Sequence, residues 1–378
     1  MPDKHLHIIA FDIPYPPNYG GVIDVFYKLK ALHSKGIKIH LHCYEYQGRP
    51  QSEELNKYCE EVNYYPRLTG LNSALSSKPY IVSSRRSDDM INRLINDDYP
   101  ILFEGLHSCF YLDDKRIKDR FKIYRESNIE HRYYFNLFKV DKKVGKKIYF
   151  LAESLKLKMY QKVLSHADLM LVVSEEDTRY LQKHFPGQKV EFLPSFHANE
   201  KMESLTGKGD YALYNGNIEV PENAHAVKYL INEVFSDLDI PLKVAGMNPP
   251  QEIKDLVSKH KNISLIPNPS DEIMFDLIRN AHVNILVTFQ ATGLKLKLLN
   301  TLYKGRFCLV NDKMLNGTDL QSLCSIANTP KELKTNLKEL FRQDFKEEEI
   351  KARQEKLNLR FSNNQNAKKL IGLVFKSA

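Results

Sequence analysis

Two lysines near the start of a predicted helix, Lys295 and Lys297, have the charge and position needed to neutralise a phosphate group. They follow the apolar run 283–287, which is typical of a buried parallel strand, and a polar turn that contains Gly293. Free amide groups at the beginning of a helix that follows a strand form an anion site. The alternative is an ordinary strand–helix–strand crossover with solvated lysines. On a helix the two lysines point about 200° apart, so we expect only Lys295 to reach a ligand.

A glycine pair, Gly20 and Gly21, is a second candidate site. It ends a proline-rich loop after the first predicted strand, 6–11, and it precedes a predicted helix. A glycine pair lets the backbone approach a ligand closely or adopt a positive φ angle. In doubly wound sheets ligands bind beyond the carboxyl ends of the strands, where this loop lies. The alternative is a tight turn required by the two prolines at 16 and 17.

Short apolar runs alternate with predicted helices along both halves of the chain, which is the pattern of parallel α/β sheets. A polar stretch, 198–210, separates the halves. We therefore predict an α/β protein with two Rossmann-like domains that face each other across a cleft. The predicted boundaries are 1–200 for the first domain and 201–355 for the second. Residues 356–378 are predicted to form a C-terminal helix that packs back on the first domain.

Composition narrows the class of protein. Hydrophobic residues make up 42% of the 378 residues and charged residues 27%, as in folded globular chains. The five cysteines are scattered and form no CxxC pair, so we expect reduced thiols and no structural zinc site. No apolar run approaches the roughly 18 residues that span a bilayer, and the N-terminal segment lacks the apolar core of a signal peptide. We therefore expect a cytoplasmic protein.

The net charge of +8 is divided about evenly between residues 1–200 and 201–378, which disfavours a nucleic-acid partner. One segment, 139–162, departs from this distribution with eight lysines and two acidic residues. The segment is predicted to be an amphipathic helix with a cationic face, because apolar residues recur in it near helical spacing: Val144, Ile148, Leu151, Leu155 and Met159. A solvated helix surface is one interpretation. Peripheral docking to an anionic inner-membrane surface is the functional alternative.

Several segments, taken in order, resemble the GT-B glycosyltransferases, specifically the retaining enzymes of glycosyltransferase family 4. In the C-terminal half these are the loop 216–223 (GNIEVPEN) and the helices predicted at 270–282 and 292–305. In the N-terminal half they are the loops 14–21, 104–107 (EGLH) and 128–134 (NIEHRYY). Each motif is short, whereas their order and spacing over essentially the whole chain are specific to the family.

The resemblance implies that the second domain binds a nucleotide-sugar donor. Positive charge and oriented amides would stabilise the diphosphate leaving group as its negative charge develops. Enzymes of this group typically use protein groups for this purpose, so neither a metal ion nor another cofactor is expected. The donor residues implied by the resemblance are Gly216, Asn217, Thr292, Gly293, Lys295, Lys297 and Asn300.

Three positions depart from the family pattern. Thr292 and Asn300 stand where relatives carry two glutamates. Asn300 can still hydrogen-bond a ribose hydroxyl, although more weakly than a carboxylate would. Ser127 stands where many relatives carry a histidine near the reacting centre. The remaining candidates for catalytic side chains in the first domain are His107, Glu130 and His131.

We therefore predict a glycosyltransferase that moves a sugar from a nucleotide-diphosphate sugar to an acceptor hydroxyl with retention of the anomeric configuration. Synthesis of a cell-surface polysaccharide or glycoconjugate is the expected setting. The first domain would hold a saccharide or lipid-linked saccharide acceptor, with Gly20 and Gly21 contacting the acceptor and the diphosphate.

Other functions stay open. The three substitutions also fit a catalytically degenerate subunit that binds a nucleotide sugar or a partner enzyme. A sugar-nucleotide epimerase of the same fold would need cleft carboxylates in a different arrangement. A nucleotide-dependent oxidoreductase is the least favoured, because no GxGxxG motif follows the first predicted strand.

Overall fold

The computed structural model describes residues 3–46, 48–70, 73, 75–141, 143–289 and 296–375. The chain divides into two compact units. Unit 1 is formed by Met1–His197 with Phe361–Ala378, and unit 2 is formed by Ala198–Arg360. Each unit is built on one parallel β-sheet with helices between successive strands, so the predicted α/β class with two Rossmann-like domains is confirmed.

The described part of unit 1 contains a seven-stranded sheet in the order β3-β2-β1-β4-β5-β6-β7. Every neighbouring pair is parallel, which requires a crossover between successive strands. The carboxyl ends of all seven strands therefore lie along the same edge. The strands are β1 Lys4–Ala10, β2 Ile37–Glu45, β3 Glu61–Pro66, β4 Ile101–Glu104, β5 Lys122–Glu126, β6 Leu169–Val172 and β7 Lys189–Phe192.

Helices cover both faces of this sheet. The helices are α1 Gly20–His33, α2 Tyr80–Ser83, α3 Asp88–Leu94, α4 Glu130–Val140, α5 Val144–Tyr160, α6 Glu175–His184 and, from the end of the chain, α14 Asn363–Phe375. Leu29 of α1 and Leu370 of α14 pack against Ile8 on one face, and Ile91 and Leu157 pack with Phe103 on the other. Removing these side chains from water provides the main driving force for the three-layer arrangement.

The described part of unit 2 contains a six-stranded parallel sheet in the order β10-β9-β8-β11-β12-β13. Its strands are β8 Ala212–Asn215, β9 Leu242–Gly246, β10 Ile263–Pro267, β11 Val283–Leu286, β12 Phe307–Val310 and β13 Ser325–Ile326. The helices are α7 Pro221–Tyr229, α8 Gln251–Val257, α9 Asp271–Asn280, α10 Leu296–Lys304, α11 Asp312–Leu315, α12 Pro330–Leu340 and α13 Glu347–Arg360. A π-helical turn, Leu230–Phe235, extends α7. Within the described ranges, no helix is long and apolar enough to cross a bilayer.

The helix predicted across 139–162 is confirmed over Val144–Tyr160 and is wrong at its first residues. The chain instead forms an antiparallel pair, with α4 ending at Val140 and α5 beginning at Val144. Asp141 leaves the helical conformation, with φ −69° and ψ 143°, and its carboxylate accepts a hydrogen bond from the backbone amide of Lys143 at 2.7 Å. The carboxylate thus stabilises a turn between the helices and interrupts the predicted continuous surface.

Candidate functional site

Glu130 and His107 meet beyond the carboxyl ends of β4 and β5 in unit 1. Glu130 is the first residue of α4, and His107 lies in the short 3₁₀-helix Leu106–Tyr111 that follows β4. Gly105 permits the turn between β4 and this helix with φ 69°, a value that favours glycine. His107 Nδ1 lies 3.8 Å from Glu130 Oε1, which is too long for a hydrogen bond.

The electrostatic environment leaves this pair with little charge near neutral pH. Burial raises the pKa of Glu130 to about 8, and the positive charge of Arg85 opposes this rise only in part. Burial also lowers the pKa of His107 well below its ordinary value, and Arg85 adds to that effect. A protonated Glu130 beside a neutral His107 is therefore the dominant state at pH 7, with a carboxyl group able to donate a hydrogen bond.

Phe11 connects the glycine pair to this carboxyl–imidazole pair. The Phe11 ring lies 5.2 Å from the ring of His107, centre to centre. A Cβ atom at Gly21 would lie 2.5 Å from Phe11 Cζ, so only glycine leaves the ring undisturbed. Arg85 donates from Nε to the Phe11 carbonyl oxygen at 2.8 Å and fixes the same segment from the other side. Gly20 has open space where its Cβ atom would be.

A buried ionic network joins α1 to β4 and β5 and holds the elements that carry the pair. Lys28 Nζ donates to Glu104 Oε1 at 2.6 Å and to Asp24 Oδ2 at 3.0 Å. Arg125 donates to both carboxylate oxygens of Asp24, each at 3.1 Å, and to the carbonyl oxygen of Leu193. The adjacent cations hold the pKa of Asp24 below its ordinary value despite its burial. These charges are mutually satisfied, so we assign them a structural role.

The approach to α4 is held by another buried carboxyl group, Glu126, at the end of β5. Its oxygens accept hydrogen bonds from Tyr124 Oη at 2.6 Å and from the backbone amide of Asn128 at 3.0 Å. The second of these contacts spans Ser127 and leads the chain directly into α4. Glu126 thus positions Glu130 through the backbone.

The structure does not bring His131 into this group. Its ring lies 6.1 Å from the ring of Tyr180, and its backbone carbonyl oxygen accepts from Ser154 Oγ at 2.8 Å. Successive residues of a helix point about 100° apart, so Glu130 and His131 face different neighbours. Of the three predicted catalytic side chains, two are adjacent and His131 is separate.

In unit 2, the loop after β8 is joined to α10 through one asparagine. Asn223 Oδ1 accepts from Lys297 Nζ at 3.3 Å and from Tyr214 Oη at 3.2 Å, and Asn223 Nδ2 donates to the carbonyl oxygen of Asn217 at 2.8 Å. Lys297 Nζ also lies 5.0 Å from the centre of the Tyr214 ring. Lys297 thus lies beside the loop 216–220, which we call the glycine loop, at the carboxyl edge of the unit 2 sheet.

Close packing between two strand ends shapes this glycine loop. A Cβ atom at Gly246, the end of β9, would lie 1.8 Å from the Gly216 carbonyl oxygen. The Gly216 amide donates to the Ala245 carbonyl oxygen at 3.2 Å. Asn217 is exposed, and its side-chain oxygen accepts from the Glu219 amide at 3.1 Å. The loop therefore presents a fixed backbone at the start of α7.

The remaining predicted donor residues are divided between described and undescribed positions. Asn300, half-buried on α10, accepts a hydrogen bond from Asn199 Nδ2 at 2.8 Å. The predicted sites Thr292, Gly293 and Lys295 lie outside the described residues. Their assignment to a diphosphate stays a prediction.

Two residues of these sites, Asn223 and Arg85, were not among the candidates predicted from the sequence. Asn223 lies in the first turn of α7 and is the last residue of the segment 216–223 on which the family resemblance rests, and this position was a detectable signal. Arg85 carries no such signal. It contributes through burial, at 4% exposure, and through contacts with Phe11 and Ile81 that depend on tertiary packing.

The chain contains one Asp-x-Asp tripeptide, Asp237-Leu238-Asp239, which precedes β9 at the amino end of that strand. Asp237 pairs with Lys334 of α12 at 2.8 Å and is 62% exposed at its side chain. Across the part of the chain that the structure describes, no group of three or more His, Cys, Asp or Glu side chains is arranged to hold a metal ion.

Comparison with known proteins gives two kinds of similarity, although no family profile matches the chain. An uncharacterized 44.6 kDa protein in the cps region of Klebsiella pneumoniae is 27% identical over 330 residues, which make up 82% of this chain and 84% of that protein. This identity extends over most of both chains.

Solved structures resemble the chain over nearly its full length. Staphylococcus aureus TarM, a mutant in complex with fondaparinux, alpha-GlcNAc-glycerol and UDP, gives a TM-score of 0.71 at 10% identity, covering 98% of this chain and 100% of that one. A glycosyltransferase from Rickettsia africae gives 0.67 at 12% identity, covering 100% and 99%. Anabaena HepE in complex with UDP and glucose gives 0.66 at 7% identity, covering 99% and 100%. The chain therefore has the GT-B fold.

Proposed function

We propose that the protein is a glycosyltransferase that transfers a sugar from a nucleotide-diphosphate donor to an acceptor hydroxyl group. We further propose retention of the anomeric configuration, as in glycosyltransferase family 4. The observation that carries the proposal is the contact of Lys297 with the glycine loop through Asn223, at the carboxyl edge of the unit 2 sheet. Ligands of open α/β sheets bind at this edge.

The chemistry of the donor site follows from charge development. When the bond between the sugar and the diphosphate breaks, negative charge accumulates on the phosphate oxygens, and a fixed cation beside them lowers the barrier. Helical spacing favours Lys295 for that cation, but we propose Lys297 first, because its ammonium group is held beside the loop after β8, and we keep Lys295 as the second candidate. The glycine loop at Gly216 and the uncapped start of α7 would supply oriented amide groups, and Asn300 would bind a hydroxyl group of the nucleotide ribose.

Protein groups rather than a metal ion are proposed to stabilise the diphosphate. Lys297 is well suited to this role because Asn223 and the Tyr214 ring already restrict its ammonium group. A cation that is held before the ligand arrives loses less conformational entropy on binding.

In unit 1 we propose that Glu130 acts in its protonated form as a hydrogen-bond donor to the substrate. Its pKa of about 8 supports this role near neutral pH. His107 would orient the same substrate group as a neutral imidazole. The departing phosphate would then accept the proton of the acceptor hydroxyl, a step that requires no ionised carboxylate. Gly20 and Gly21 would let the acceptor and diphosphate approach the start of α1.

The acceptor is proposed to be a saccharide or a lipid-linked saccharide, in a cytoplasmic reaction. The 27% identity with a protein of the Klebsiella cps region supports a place in capsule or related cell-surface polysaccharide synthesis. The similar structures TarM and HepE are complexes with UDP, which supports a uridine nucleotide as the first donor to test.

Product formation tests the proposal directly. The purified chain is incubated with UDP-, GDP- and ADP-sugars and a panel of lipid-linked and free saccharides, and products are detected by mass spectrometry. Proton NMR of the new glycosidic bond then reports its anomeric configuration. We expect one donor class to give a product with the donor's configuration. Nucleotide binding without turnover on any acceptor in the panel would instead favour a non-catalytic subunit, and an inverted product would refute retention.

A further inference from the structure

The helical pair α4–α5 of unit 1 exposes large apolar side chains in one stripe. Val144, Ile148, Leu155 and Met159 of α5 are 73%, 65%, 56% and 64% exposed. At 100° per residue these four side chains fall within about 60° of one another around the helix and extend over about 22 Å. Isolated exposed apolar residues are common, whereas an aligned stripe on one helix indicates a surface that another phase or molecule covers.

The opposite side of α5 accounts for its packing within the protein. Glu153, Ser154 and Leu157 are buried there, and Glu153 accepts a hydrogen bond from the Tyr80 amide at 2.7 Å. The exposed side of α5 is thus apolar, and its buried side packs against unit 1 through both polar and apolar side chains. Its exposed stripe is not required for the core of unit 1.

Lysines border the stripe. Lys147 and Lys158 lie on one side of it and Lys156 on the other, as helical spacing dictates. Lys139 and Lys143 lie at the turn between the helices, beside Val140, which is 59% exposed. Together these residues form what we call the hairpin face: Val140, Val144, Ile148, Leu155, Met159, Lys139, Lys143, Lys147, Lys156 and Lys158.

Acidic groups are nearly absent from the described residues of this face. Glu130 and Glu153 are buried, and Asp141 accepts from the Lys143 amide in the turn. A depression of about 540 Å³ adjoins Met159 and adds cationic side chains of Lys78 and Lys162, with Asp113 and His166 also in its lining. The charge on the surface is therefore predominantly positive.

We propose that the hairpin face docks on an anionic phospholipid bilayer. A helix that lies in a membrane interface combines a stripe of large apolar side chains with lysines at its borders, because the apolar groups enter the acyl region while the ammonium groups reach the lipid phosphates. The predominantly positive charge matches a negatively charged surface, and each lysine near such a surface strengthens binding about fivefold. This inference does not depend on transfer activity, since docking requires neither donor nor acceptor.

Flotation of the full chain with vesicles tests the proposal. Vesicles of equal parts phosphatidylglycerol and phosphatidylcholine are compared with pure phosphatidylcholine at about 50 mM and about 500 mM salt, a range over which electrostatic attraction is strongly screened. We expect binding to the anionic vesicles at low salt, at least tenfold weaker binding at high salt, and little binding to the neutral vesicles.

Two double variants locate the surface. Ile148→Gln with Leu155→Gln removes apolar contacts, and Lys147→Gln with Lys158→Gln removes charge; each pair is expected to weaken anionic vesicle binding at least tenfold. Leu359→Gln, at a leucine 85% exposed on α13, is the matched apolar control and should bind as the native chain does. Lys259→Gln with Lys261→Gln, at exposed positions of unit 2, is the matched charge control.

Three results would overturn the proposal. The first is failure of the native chain to bind anionic vesicles at low salt. The second is equal binding to neutral vesicles, which would remove the electrostatic argument. The third is unchanged binding in both hairpin variants, verified as folded by circular dichroism. If size-exclusion chromatography shows instead that the same variants abolish a dimer, the face covers a second copy of the chain.

Discussion

Replacing Glu130 by glutamine should stabilise the protein at neutral pH and should leave its stability almost unchanged at acidic pH. Burial raises the pKa of Glu130 to about 8 from an unperturbed value near 4.5. Between these two pH values the unfolded chain has released the proton while the folded protein keeps it. The contribution of this group to the free energy of unfolding is therefore complete below about pH 4.5 and is lost as the pH rises through about 8.

The size of the effect follows from the pKa difference. At pH 7 the carboxyl group lowers the free energy of unfolding by about 3 kcal/mol relative to pH 4.5. The reason is that pH 7 lies about 2.5 units above the unfolded pKa, and each unit corresponds to about 1.4 kcal/mol. Glutamine is neutral in both states, so Glu130→Gln should raise the free energy of unfolding by up to about that amount at pH 7 and by almost nothing at pH 4.5. Such a gain is the relation between stability and function that is expected if Glu130 acts in the proposed acceptor site.

Urea unfolding at pH 4.5, 6, 7 and 8, followed by circular dichroism, measures this difference. The matched control is Glu176→Gln, because Glu176 is an exposed glutamate in the first turn of α6 and should change the free energy of unfolding by less than about 0.5 kcal/mol at every pH. A Glu130→Gln variant whose stability follows that of the native protein at all four values would refute the buried, protonated carboxyl group.

Activity gives a second test of the same residue. If the protonated carboxyl group donates a hydrogen bond, the glutamine amide can replace it, and kcat/KM should fall less than about tenfold, whereas Glu130→Ala should lose about 100-fold to 1,000-fold. The native activity should decline as the pH rises through about 8, and the glutamine variant should lack this decline. Equal losses in the two variants would contradict the donor role.

Three further predictions concern the elements that support the site. Lys28→Met should lower the free energy of unfolding in urea by about 3–5 kcal/mol, because it leaves the buried carboxylate of Glu104 unpaired; adding Glu104→Gln should restore part of the lost stability, and a loss below about 1 kcal/mol would contradict the structural role. Gly21→Ala should lower the melting temperature because its Cβ atom displaces Phe11, while Gly20→Ala, with open space, should leave it unchanged or raise it; a reversed order would contradict the packing. Burial lowers the pKa of His7 to about 4, so this residue should contribute a fall of about 3 kcal/mol in the free energy of unfolding as the pH drops from about 6.5 to 4, and a His7→Gln variant should have a slope that is shallower by that amount; an unchanged slope in the variant would refute it.

The sequence predicts the central strands well because their burial on both faces requires continuous apolar runs. The apolar run 283–287 agrees with β11 to within one residue, and the predicted strand 6–11 overlaps most of β1. The strands β3 and β7 escaped prediction, since they occupy the two edges of the unit 1 sheet and carry half-exposed polar residues such as Glu61 and Glu191. An edge strand shows little hydrophobic periodicity.

The candidate sites are less predictable because they depend on contacts between distant parts of the chain. Burial sets the pKa of Glu130, and that burial involves segments such as the one that carries Arg85. Whether Glu130 or His131 faces His107 depends on the residue at which α4 begins, and sequence patterns locate helix ends only approximately. Lys297 contacts Asn223 across 74 positions of sequence, so neither residue alone indicates the pair.

Nucleotide binding tests the central claim most directly. The melting temperature is measured with UDP, GDP and ADP and their sugars, without added metal, for the native chain, Lys297→Met, Lys295→Ala and the control Lys259→Gln. A ligand at a hundred times its dissociation constant stabilises the folded state by about 2.7 kcal/mol, which raises the melting temperature by several degrees. The account predicts such a rise for one nucleotide class, reduced in Lys297→Met and kept in the control. No rise with any nucleotide, or an equal rise in Lys297→Met, would contradict the proposed donor site.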